Sequence, residues 1–84
     1  MQRKEECRHA VLAHLAERPR LAYAADVIRR AINRNGGDYT TDETAEACEL
    51  LVGLELASWK PDALGSTRYY QVTGAGVLQY ERGQ

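Results

Sequence analysis

Residues 50–60, LLVGLELASWK, and residues 68–80, RYYQVTGAGVLQY, hold the pattern on which the fold turns. The first stretch continues a helical apolar stripe to Leu54 and then, past Leu56, changes to the β-like run Ala57-Ser58-Trp59. The second opens with Arg68-Tyr69-Tyr70-Gln71-Val72, whose aromatic and β-branched residues suit a pleated, half-buried surface. Between them Pro61-Asp62-Ala63-Leu64-Gly65-Ser66 is turn-forming, so the two runs pair as a hairpin with a loop of several residues. Alternation sends Tyr69 and Gln71 to one face and Arg68, Tyr70 and Val72 to the other, which puts one tyrosine in the core and the other at the surface or an interface. Thr73 then caps a short helix through about Arg82, which returns Val77, Leu78 and Tyr80 to the core.

A strand, Gly74-x-Gly76 and a helix is also the order in which a dinucleotide-binding loop is built. The third glycine of that fingerprint would fall at Gln79, and the residues after it leave no room for the second strand and ribose-binding acid of a βαβ unit. The plainer reading is a strand-to-helix corner, where small residues let the backbone pass close to the core.

Upstream, residues 3–17 set Cys7, Val11 and Leu15 four apart, with Ala10, Leu12 and His14 beside them, the stripe of an amphipathic helix. Arg18-Pro19-Arg20 ends it, and Leu21-Ala22-Tyr23 is long enough only for a bridging strand. Ala24, Val27, Ile28, Ala31 and Ile32 recur at helical spacing, with Arg29, Arg30, Asn33 and Arg34 on the opposite side, until Asn35-Gly36-Gly37 stops this second helix. Thr40-Thr41-Asp42-Glu43 matches a capping box and opens a third helix. Its apolar stripe is Ala47, Leu50, Leu51 and Leu54 with Cys48 beside it, and Asp42, Glu46 and Glu49 point outward.

The order helix, short strand, helix, helix, strand, long turn, strand, short helix resembles the winged helix-turn-helix domain over nearly the whole chain. That domain is an α+β fold with three main helices, a small antiparallel β-hairpin wing and a short C-terminal helix. The stretches quoted first carry most of the likeness. They are similar to the last turn of the recognition helix, a strand, a variable wing, an aromatic strand, Thr, Gly and helix of small bacterial regulators. Length and element order also resemble small winged-helix proteins encoded in Mu-like prophages. The resemblance implies a single domain over residues 1–84, a transcription-regulator type of protein, and action by binding without catalysis, cofactor or metal.

Winged-helix proteins that bind DNA place the second helix of the helix-turn-helix in the major groove and the wing at a neighbouring groove or backbone. Carried onto this chain, the resemblance points to Thr41, Asp42, Thr44, Ala45, Cys48 and Glu49, or a subset, as the groove-facing set. Thr41, Thr44 and Glu49 are the base-reading candidates, and Arg29, Arg30, Arg34, Lys60 and Arg68 the phosphate candidates, with Arg3, Lys4 and Arg8 as further bases. A homodimer presenting paired half-sites follows from the same resemblance.

Charge argues the other way. Residues 35–59 contain Asp38, Asp42, Glu43, Glu46, Glu49 and Glu55 and no Lys or Arg, whereas affinity for duplex DNA depends on cations against several phosphates. Arg, Lys, Asn and Gln, which make the commoner base contacts, are missing from the third helix. Asp42, Glu46 and Glu49 form an i, i+4, i+7 stripe that suits a basic protein partner or the arginines of a second copy, so a winged-helix interaction module that does not bind DNA is the alternative. The stripe also reads simply as a solvated helix face.

Other classes find little support. With 84 residues the chain buries only about 60% of its unfolded surface, too little for a deep catalytic cleft. Neither Ser58 nor Ser66 has a histidine near it in sequence, and the carboxylates cluster on one helix face instead of opposing one another. Cys7, His9 and His14 cannot converge on one ion, because His9 lies roughly 160° around the helix from Cys7 and roughly 140° from His14. Cys7 and Cys48 fall on apolar helix faces and read as reduced core residues. No apolar run is long enough to span a bilayer, and the N-terminus lacks a signal-peptide stretch, so the expected location is the cytoplasm, with no membrane partner.

Overall fold

Cys7, Val11 and Leu15 line one side of α1 (Arg3–Glu17), and the rest of the molecule is built on that side. The computed structural model describes residues 2–83. After α1 come β1 (Tyr23–Ala24), α2 (Ala25–Arg34), α3 (Thr41–Gly53), β2 (Ala57–Pro61), β3 (Arg68–Val72) and α4 (Gly74–Arg82). The three strands form an antiparallel sheet in the order β1-β3-β2, with Tyr23 opposite Tyr70 and Trp59 opposite Tyr70 on the other side. This is a winged helix-turn-helix fold, with β2 and β3 as the wing.

Ile28 and Ile32 of α2, Ala47, Cys48 and Leu51 of α3, and Ala57, Tyr70 and Val72 of the sheet close the core around α1. Both cysteines are core residues, and burial pushes the Cys48 thiol up to about 12. Tyr70 is the inward tyrosine and Tyr69 the exposed one, as the alternation requires.

The expected stripe of α3 needs correction. Leu51 is 1% exposed, but Leu50 is 43% and Leu54 53% exposed. Helix α3 packs against both α1 and α2, so its buried arc is centred on Thr44, Ala47, Cys48 and Leu51, and Leu50 falls at the rim. On α4, Val77 and Tyr80 pack on the core as expected, whereas Leu78 is 52% exposed.

Two junctions hold the helices at fixed angles. Asn33 Nδ2 donates to the Tyr39 carbonyl and Tyr39 N donates to Asn33 Oδ1, both at 2.9 Å, which ties the end of α2 to the start of α3. Asn33 thus leaves the outward arginine face on which its spacing placed it. At the other end of α3, Leu56 N bonds the Leu51 carbonyl at 2.9 Å and Glu55 N bonds that of Val52 at 3.0 Å, a Schellman motif. Its left-handed residue is Glu55, at φ 64°, where glycine would be the usual choice.

Candidate nucleic-acid interface

The N-terminal turn of α3 is made by local chemistry. Thr40 Oγ1 accepts from Glu43 N at 3.1 Å, and Thr40 N donates to Glu43 Oε1 at 3.0 Å, completing the capping box. Thr41, Asp42, Glu46 and Glu49 face solvent along the helix, with Ala45 half-buried among them.

Thr44 does not belong to that surface. It is 0% exposed, and its hydroxyl donates to the Thr40 carbonyl at 2.9 Å, so it cannot reach a base edge. Cys48 is fully buried too. Both lie toward α1 and α2 because α3 is wedged between those helices. Thr41 and Glu49 remain as exposed base-reading candidates. Replacing Thr44 by Val should leave affinity for any duplex unchanged and cost about 1 kcal/mol of stability. Thr41→Ala, at an exposed position, should melt close to the wild type. A shift of affinity in Thr44→Val at unchanged fold would contradict this division.

The carboxylates that made residues 35–59 look strongly anionic largely meet cations from other elements. Arg3 of α1 donates from Nε to Glu43 at 2.6 Å and from Nη1 to Asp38 at 3.1 Å, and stands 5.1 Å from the centre of the Tyr39 ring. Arg3 and the Thr40 backbone hold the Glu43 carboxyl down to about 2. Lys4 lies 3.3 Å from Glu46. Arg68 of β3 donates from Nη1 to both carboxylate oxygens of Glu49 at 2.9 Å, with its guanidinium 4.2 Å from the centre of the Trp59 ring. The Tyr70 hydroxyl also donates to Glu49, and this bond and Arg68 lower the Glu49 carboxyl below the usual range. Such exposed pairs add little stability. Their effect is on charge: Asp42 is the one α3 carboxylate without an ion pair among the described residues.

The same pairing engages most of the phosphate candidates. Arg29 and Arg30 both donate to Asp26 on their own helix, Arg29 from Nη2 at 3.1 Å. Arg68 is held by Glu49, and Arg34 and Lys60 make no ion pair among the described residues. Arg34 lines a groove of about 280 Å³ with His14, Glu17 and Val27 between α1 and α2, whereas Lys60 and Arg68 lie on the hairpin. The five candidates therefore do not form one set of free cations. Asp26 four residues before Arg30 was visible as a helix pair. Arg3 with Glu43 and Arg68 with Glu49 had no such signal.

His14 is partly buried, its ring 4.9 Å from that of Tyr23, and burial lowers its pKa. Among the described residues, no group of three or more His, Cys, Asp and Glu side chains is placed to hold a metal ion. No described helix is long and apolar enough to cross a membrane.

No family model matches this sequence, and no curated protein matches it. Among solved structures it is similar to a mutant of MepR from a multidrug-resistant S. aureus clinical isolate, with a TM-score of 0.73. The two share a fold. The likeness covers 92% of this chain but 53% of MepR, so this chain spans about half the length of that protein. At 15% identity it extends to the arrangement of helices and wing and not to individual side chains.

Proposed function

We propose that this chain is a DNA-binding module of the transcription-regulator type, which docks the N-terminal half of α3 in the major groove and sets the hairpin against the adjacent backbone. The observation that supports this most is the pairing of three of the four α3 carboxylates with cations from other elements. A winged helix with four uncompensated carboxylates on its recognition helix would repel a duplex, but here Arg3, Lys4 and Arg68 stand beside Glu43, Glu46 and Glu49. Thr41 and Asp42 are then the groove-facing side chains, with Lys60, Arg68, Arg29 and Arg30 at phosphates. Two copies related by a two-fold axis would present their α3 helices to half-sites about 34 Å apart.

Titrating duplex DNA at two salt concentrations tests this. Binding should be salt-steep, and the slope of log K against log salt should flatten by about 2 in Lys60→Ala/Arg68→Ala and in Arg29→Ala/Arg30→Ala. No binding at low salt would overturn the reading. The face would then suit a protein partner, which the exposed Leu50 and Leu54 beside the acidic stripe favour.

A further inference from the structure

We infer that Glu49 acts as a built-in phosphate mimic, which occupies Arg68 in the free protein and sets a threshold that duplex DNA must exceed to recruit it. This deepens the DNA reading and rests on it. Arginine binds carboxylates and phosphates through the same planar donor geometry, so a ligand that satisfies one competes with the other. Arg68 Nη1 lies 2.9 Å from both oxygens of Glu49. The guanidinium also lies 4.2 Å from the centre of the Trp59 ring, at the loop end of the hairpin.

The two partners are not equally free. Glu49 is anchored from the protein side by the hydroxyl of Tyr70, a residue of the buried core, whereas Arg68 has only surface contacts. In an exchange, Arg68 turns to a phosphate and Glu49 stays, leaving a carboxylate beside the backbone it has lost the arginine to. That residual charge penalises every duplex alike. Sequence-independent contacts are therefore weakened, and binding depends more on the base-reading contacts of α3. Asp26 also pairs with Arg29 and Arg30, but at the surface and without a hydrogen bond from a core residue among the described residues.

Glu49→Gln isolates the effect, because the amide oxygen still accepts from Tyr70 while the charge is removed. Fluorescence anisotropy with a mixed-sequence duplex at about 50 mM salt, and thermal melting to verify the fold, make up the experiment. Glu49→Gln should bind about tenfold more tightly than the wild type, with a steeper salt slope. Glu81→Gln, the same change of charge on α4, should bind within about twofold of the wild type, because Glu81 pairs with none of the proposed phosphate-binding cations among the described residues. Glu49→Gln/Arg68→Gln should lose the gain.

Wild type and Glu49→Gln binding equally, or the double variant binding as tightly as Glu49→Gln, would overturn the mimic while leaving the DNA reading in place. Binding by neither protein would overturn both.

Discussion

Gly76→Ala is expected to destabilise the domain by about 3 kcal/mol or more, whereas Gly74→Ala, two residues earlier on the same helix, should melt with the wild type. A Cβ at Gly76 would land on the carbonyl oxygen of Leu56 and within 2.6 Å of Val72 Cγ2, while one at Gly74 meets nothing within 4 Å. The obstacle is backbone that cannot yield cheaply. The Leu56 carbonyl accepts from Thr73 N at 3.0 Å, and Leu56 N closes the Schellman motif that ends α3. Thr73 adds a second tie, donating its hydroxyl to the Glu55 carbonyl at 2.8 Å and accepting from Gly76 N at 3.0 Å. Any shift of Leu56 to admit a methyl group disturbs both helix ends. Urea or thermal denaturation of the two variants side by side measures the contrast. Equal midpoints would mean that α4 does not cross Leu56 as described.

Leu51→Ala should cost about 2–5 kcal/mol, a large part of the roughly 5–10 kcal/mol that a domain of this size holds. A fall in melting temperature of about 10 °C or more is expected. Leu50→Ala and Leu54→Ala should each stay within about 1 kcal/mol of the wild type. The three leucines share one apolar stripe in the sequence, but only Leu51 is enclosed, 1% exposed against 43% and 53% for its neighbours. Losing Leu51 opens a cavity in the core beneath α3 and loosens the helix proposed to enter the groove, so DNA affinity should fall along with stability. If Leu50→Ala proved as costly as Leu51→Ala, the packing of α3 would have to be rotated by about one residue, roughly 100°.

Most of the architecture could be read in advance, because it is set by short-range rules. The capping box at Thr40, the stop at Asn35-Gly36-Gly37 and the β-rich run at 68–72 each depend on residues within a few positions of one another. The corner at Gly76 was legible as well, although which of the two glycines is obligatory depends on the atom that faces it. Where the apolar pattern offered more hydrophobic positions than neighbours to cover them, at Leu50, Leu54 and Leu78, periodicity could not choose among them. Thr44 failed for the converse reason. A short polar side chain at an outward-seeming position was buried because its hydroxyl finds the Thr40 carbonyl one turn back.

The electrostatic character of α3 is the sharpest division between the two levels. Chain order says that residues 35–59 carry carboxylates and no cation, and this remains true of the folded protein. It also says that the helix is capped, amphipathic and followed by a wing. What it cannot say is which distant cations arrive: Arg3 reaches Glu43 across 40 positions and Arg68 reaches Glu49 across 19. Coulomb interactions act through space and not along the chain, so the charge of a surface depends on the packing that brings its elements together. Secondary structure and its caps are local and were already present in the letters. The pairing of Glu43, Glu46 and Glu49 with distant cations, and with it the engagement of Arg68 by Glu49, exists only once α1 and the hairpin have closed on the third helix.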